Sequence, residues 1–171
     1  MATESIKTNE LSGLAALRLL VRHYRMEFYE DGVKEKLDNI HSDTELDGRL
    51  AEFAGDCGFN VKEYNNISLE LIAEAVDKGI PPIVKGNISI ARGEEGSGET
   101  GYFLVSGYQR DGHKSYCAFN IIDPVLKKKY HLPSEQFLGF WNIIYEEEDL
   151  EERENIYSMI LVLPPDRELP F

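Results

Sequence analysis

Basic charge is scarce in this chain. Its 171 residues carry 18 Lys and Arg against 31 Asp and Glu, a formal net charge of −13. That excess repels phosphate backbones and anionic headgroups, which argues against nucleic acid and against acidic membrane surfaces. A basic peptide or protein stays open as a partner. Cysteine is nearly absent as well. The 2 present, Cys57 and Cys117, lie far apart and outside any metal-ligand spacing. They read as buried, inert thiols in a reduced, cytoplasmic setting. No run approaches the ~18 apolar residues of a membrane span. The polar opening Met1-Ala2-Thr3-Glu4-Ser5-Ile6-Lys7 has no secretory apolar core. There is no internal repeat. What the chain does have is a 42% hydrophobic content, enough to bury the core of one domain.

The apolar residues are ordered. Residues 1–10 are polar and read as a flexible N-terminus. A helix is expected from Ser12 to Met26, with Leu14, Leu17, Leu20, Val21 and Tyr24 on one face and Arg18, Arg22 and Arg25 on another. Ser12 reads as its N-cap. A short helix is expected over Asp31–Ile40. The capping box Ser42-Asp43-Thr44-Glu45 opens a third, with Leu46, Leu50, Phe53, Ala54 and Cys57 as its stripe and Gly58 as its stop. Phe59–Tyr64 reads as a strand. Ser68 caps a helix that turns Leu69, Ile72, Ala73 and Val76 inward and closes at Lys78-Gly79. Strands follow at Ile80–Val84, Tyr102–Tyr108, Tyr116–Ile122, Lys127–His131 and Tyr157–Leu163. Ala91–Gly101 reads as a Gly/Glu-rich loop, Gln109–Lys114 as a hairpin connection with an Asp-Gly signal, and Pro133–Trp141 as a helical segment. Helices first and an antiparallel sheet after them predict an α+β domain of two packed halves over 11–163, with 164–171 as a tail.

Several motifs fail on context. Gly96-Ser97-Gly98-Glu99-Thr100-Gly101 matches a dinucleotide fingerprint, but a strand rather than a helix should follow it, and Glu94, Glu95 and Glu99 would repel a pyrophosphate. Asp43–Gly48 echoes a calcium loop whose bidentate twelfth place falls on Ala54. Asn66-Ile67-Ser68 and Asn87-Ile88-Ser89 are chance glycosylation patterns. His23, His41, His113 and His131 show no metal spacing, so neither a metal nor a cofactor is expected; His113 would act as a displaced base only through an unusual fold.

Six pieces in one order carry a resemblance. They are Ser12-Gly13-Leu14-Ala15-Ala16-Leu17 with Tyr24 downstream, Leu50-Ala51-Glu52-Phe53-Ala54 with Gly58-Phe59, and Gly79-Ile80-Pro81-Pro82-Ile83-Val84. Then come Gly101-Tyr102-Phe103-Leu104-Val105-Ser106-Gly107-Tyr108, Asp123-Pro124, and Ser134-Glu135-Gln136-Phe137 with Trp141. Together they resemble the papain-like bacterial peptidases that process bacteriocins by cutting double-glycine leaders. They are also similar to the peptidase-like domains of haemolysin-type transporters. The resemblance implies a papain-like cysteine peptidase fold, with the nucleophile at Ser12, the general base at Tyr102 and its orienting carboxylate at Asp123.

The departures set the expected function. Ser12 stands where the family has Cys, and Tyr102 where it has His. No Gln precedes position 12 for the oxyanion hole. A serine hydroxyl is a poor nucleophile without an adjacent base. A tyrosine with a reference pKa of ~10 stays protonated at neutral pH. The expectation is a catalytically inactive, peptidase-like domain that binds a peptide or protein partner at Ser12, Gly13, Tyr102, Asp123 and Trp141. One alternative is an active hydrolase, peptidase or acyltransferase using Ser12 with a non-standard base. Another is a regulatory or inhibitory protein working through an acidic surface. The acidic insertion 145–156, with Glu146, Glu147, Glu148 and Asp149, reads as a solvated stretch or as a docking patch for a basic partner.

Overall fold

A computed structural model of the chain describes residues 12–26, 49–94, 96, 99–112, 115–142 and 157–171. The expected flexible N-terminus, the helix over 31–40, the capping box at 42–45, His41, His113 and the acidic insertion lie outside the described residues. In chain order the elements are α1 (Ser12–His23), α2 (Leu50–Asp56), β1 (Asn60–Tyr64), α3 (Leu69–Asp77), β2 (Ile83–Asn87) and α4 (Ile88–Arg92). They continue with β3 (Thr100–Asp111), β4 (Ser115–Asp123), β5 (Lys128–Pro133), α5 (Ser134–Trp141) and β6 (Met159–Leu163).

The strands form one six-stranded sheet in the order β1-β6-β2-β3-β4-β5, antiparallel at every described pairing. The α+β class therefore stands, but the helices do not form a separate half. Strand alternation sends successive side chains to opposite faces, and each face has its own helical cover. Ile83, Leu104, Ile160 and Val162 pack with Leu17, Leu20, Val21, Leu50 and Ala54 from α1 and α2. Val84, Phe103, Val105, Phe119 and Ile121 pack on the other face with Ile72 of α3, Ile88 of α4 and Phe137, Phe140 and Trp141 of α5. This explains β6, Met-Ile-Leu-Val-Leu, whose five residues are all buried. A strand covered on both sides reads as an unbroken apolar run.

Local chemistry sets the element ends. The Leu71 N–H donates to Ser68 Oγ at 3.3 Å, which caps α3. Its other end closes on Gly79, at φ +75°, where the Ile80 N–H reaches back to the Ala75 carbonyl at 3.0 Å. The helix expected to run to Met26 stops at His23 because Arg25 takes a left-handed φ of 57°. The expected loop over Ala91–Gly101 is shorter at both ends, because α4 takes Ala91 and Arg92 and β3 takes Thr100 and Gly101. The Ile90 N–H donates to Asn87 Oδ1 at 3.1 Å, so the Asn-Ile-Ser pattern at 87–89 is a helix cap. Gly86 is required by packing. A Cβ built there would sit 2.2 Å from Phe140 Cζ, so α5 lies directly against the β2 backbone.

Candidate functional site

Two glycines let α1 approach β3. A Cβ on Gly13 would meet Leu50 Cδ1 at 3.0 Å and Tyr102 Cδ2 at 3.2 Å. One on Gly101 would meet Ile88 Cδ1 at 3.1 Å and Ser12 Oγ at 3.3 Å. At that junction Ser12 stands at the head of the described α1. Its hydroxyl oxygen accepts the backbone N–H of Tyr102 at 2.9 Å across 90 residues of sequence, and the residue is only 5% exposed. The structure thus brings Ser12, Gly13 and Tyr102 together.

Two further residues share this end of the sheet. Lys85 is the register partner of Tyr102 in the β2–β3 ladder, and its Nζ lies 5.8 Å from the Tyr102 ring centroid. Burial raises the Glu63 carboxyl above its ordinary range, while the Lys85 ammonium pulls it back down. Neither residue carries a motif. Glu63 is exposed in a largely polar strand, Asn-Val-Lys-Glu-Tyr, and Lys85 is half-buried after Ile83-Val84, so no periodicity singles either of them out.

Asp123 sits elsewhere. Ile121 belongs to the face under α5 and Ile122 to the face under α1, so alternation turns Asp123 back toward α5 while Tyr102 lies with the α1 cluster. Its Oδ2 accepts from Arg92 Nε at 3.1 Å and Nη2 at 2.9 Å. Its Oδ1 accepts the N–H groups of Val125 and Leu126, both at 3.0 Å. The carboxylate is 2% exposed and the Arg92 side chain 14%. Among the described residues Asp123 makes no bond to Ser12 or Tyr102. It ties α4 to the β4–β5 turn. Tyr130 sits beside the pair, and its phenol is pushed above its usual range, first by burial and then by the Asp123 charge.

Trp141 is a core residue. It is 1% exposed, its indole N–H donates to the Ser158 carbonyl at 2.8 Å, and its ring lies 5.6 Å from Phe137 and 5.0 Å from Tyr157. It offers no face to a partner in this arrangement. Glu146, Glu147, Glu148 and Asp149 lie outside the described residues.

No family model, curated protein or solved structure matches this chain. The chemistry of the junction must therefore be read from its atoms. Ser12 is bonded by a backbone amide, not by an imidazole or a carboxylate, so nothing in that contact takes its proton. Among the described residues no group of three or more His, Cys, Asp or Glu is arranged to hold a metal ion. No described helix is long and apolar enough to cross a membrane.

Proposed function

We propose that this chain is a catalytically inactive, peptidase-like domain that binds a peptide or protein partner, with the α1–β3 junction as its vestigial site. The observation that carries the reading is the Ser12 hydroxyl. It accepts the Tyr102 amide and is nearly sealed from solvent. A nucleophile needs an exposed oxygen and a base aligned on its proton. Here the hydroxyl acts as a strut between helix and strand. The order of the six sequence pieces supports the peptidase-like part of the reading, as does a small-residue helix start packed on an antiparallel sheet. The papain-like architecture belongs to this proposal.

The test has two arms. A fluorophosphonate probe should leave Ser12 unlabelled, and stoichiometric labelling at Ser12 would make the chain an active hydrolase. A fluorescent, amphipathic peptide ending in Gly-Gly and extended by a short cargo should bind and remain uncut over hours. Its binding should slow amide exchange over 12–17 and 100–104. Cleavage after the Gly-Gly pair, or binding that leaves those amides unaffected, would overturn the reading.

A further inference from the structure

The segment 164–171 packs as a ligand would. After β6 it turns, the Arg167 N–H donating to the Pro164 carbonyl at 3.0 Å. It then accompanies β1. Asn60 Nδ2 donates to the Arg167 carbonyl at 2.8 Å, and the Tyr64 hydroxyl donates to the Phe171 carbonyl at 3.0 Å. Both bonds span the same sequence separation of 107 residues. Residue 167 therefore lies by residue 60 and residue 171 by residue 64, so the segment runs alongside β1 in the same direction. It makes no main-chain ladder. Among the described residues no backbone–backbone hydrogen bond joins 165–171 to β1.

Side chains do the holding. Phe171 meets the Tyr64 ring edge-on at 6.1 Å, with Lys78 Nζ 5.8 Å from its own centroid. Leu169 and Phe171 pack, half-buried, against the core on the α5 face. The Arg167 guanidinium lies 5.8 Å from the Tyr24 ring. Pro165, Asp166, Arg167 and Glu168 are exposed. Two anchors at the far end, two side-chain bonds and a solvated middle make an attachment that local opening can break without unfolding the sheet.

We propose that the groove formed by Asn60, Tyr64 and Lys78 is a peptide-binding site that the chain fills in cis with 165–171. In trans it takes an extended segment of the same chemistry: an aliphatic residue, a proline and an aromatic residue, read by two side-chain donors to its carbonyls. The occupant is argued from the segment already seated there. Its aromatic ring fits between Tyr64 and Lys78, and its carbonyls meet Asn60 and Tyr64. Tyr64, Leu169 and Phe171 pack on the α5 face and Tyr102 with the α1 cluster, so the site stands or falls independently of the proposed vestigial site.

Tethering sets the expected size of the effect. A short linker presents its ligand at an effective concentration on the order of 1 mM. With an intrinsic affinity on the order of 0.1 mM, cis occupancy weakens trans binding about tenfold. The probe is a fluorescein-labelled, C-terminally amidated peptide, Pro-Asp-Arg-Glu-Leu-Pro-Phe, titrated by anisotropy against the full chain. The full chain carrying Leu169→Ala and Phe171→Ala should bind it about tenfold more tightly than the intact chain. Phe171→Ala alone should move in the same direction by less. Adding Asn60→Ala and Lys78→Ala should abolish the gain. Equal affinity for the intact and tail-weakened chains would overturn the proposal. So would no binding at 1 mM peptide by either tail variant, or a gain that survives the groove substitutions.

Discussion

Replacing Asp123 with Ala removes a carboxylate that is 2% exposed and accepts bonds from Arg92, Val125 and Leu126. Its loss takes a buried carboxylate away from the Arg92 guanidinium, only 14% exposed, and frees two turn amides. Removing one partner of a buried ion pair costs roughly 3–5 kcal/mol. Arg92 retains some access to water and the turn amides can be solvated, so the low end applies, about 3 kcal/mol. With a urea slope of about 2 kcal/mol per molar, the unfolding midpoint should fall by about 1.5 M. Asp123→Asn keeps an oxygen for Val125 and Leu126 and loses only the charge, so it should cost about half as much. The single Trp of the chain, Trp141, is buried and reports unfolding by fluorescence. A residue retained only to orient a base at position 102 would be nearly silent in this assay. A midpoint shift below about 0.3 M for Asp123→Ala, or an equal loss for Asp123→Asn, would refute the structural role.

Two other substitutions probe the fold. Gly86→Ala places a methyl 2.2 Å from Phe140 Cζ, so the Phe140 ring must give way inside the core. Overpacking of this kind costs about 1–3 kcal/mol; thermal unfolding should register it, and an unchanged melting temperature would show that the Phe140 ring does not rest on Gly86. Tyr24 is the described residue whose buried side-chain oxygen has no hydrogen-bond partner, and burial pushes its phenol from 10.0 up to about 12, against the lowering effect of Arg167. A raised folded pKa means the neutral phenol is favoured in the native state, so that stability is intact below pH 10 and is lost as pH climbs toward about 12. Tyr24→Phe should be no less stable than the parent at pH 8 and should lose less stability between pH 9 and 12; parallel pH curves would contradict this.

Much of this arrangement is legible in the sequence because it is local. The spacing of Leu14, Leu17, Leu20 and Val21 makes α1 amphipathic, and all four are buried. Ser68 and Gly79 mark the ends of α3 through hydrogen bonds that span a few residues. Alternating apolar residues before and after Asp111-Gly112 announce the β3–β4 hairpin, since turn and pleat are set by near neighbours. The short helix α4 is harder to see. A cap, Asn87, directly follows a strand residue, and five residues are too few for a period to show.

What the sequence could not decide is where distant segments meet. Ser12 looks like a helix cap by its type, and only the approach of β3 turns its oxygen toward the Tyr102 amide. Asp123 sits in an Asp-Pro step that suits an orienting carboxylate. Its direction depends on which face of β4 it occupies, and a pleat reverses that with every residue. Arg92 becomes its partner because α4 and the β4–β5 turn converge in space. Trp141 looks available on a short helix until α5 is laid against Tyr157 and Ser158. Short-range order follows from propensity and pattern, which the chain carries at each position. The pairing of residues tens of positions apart follows from sheet order and helix packing, and those exist only once the whole core has closed.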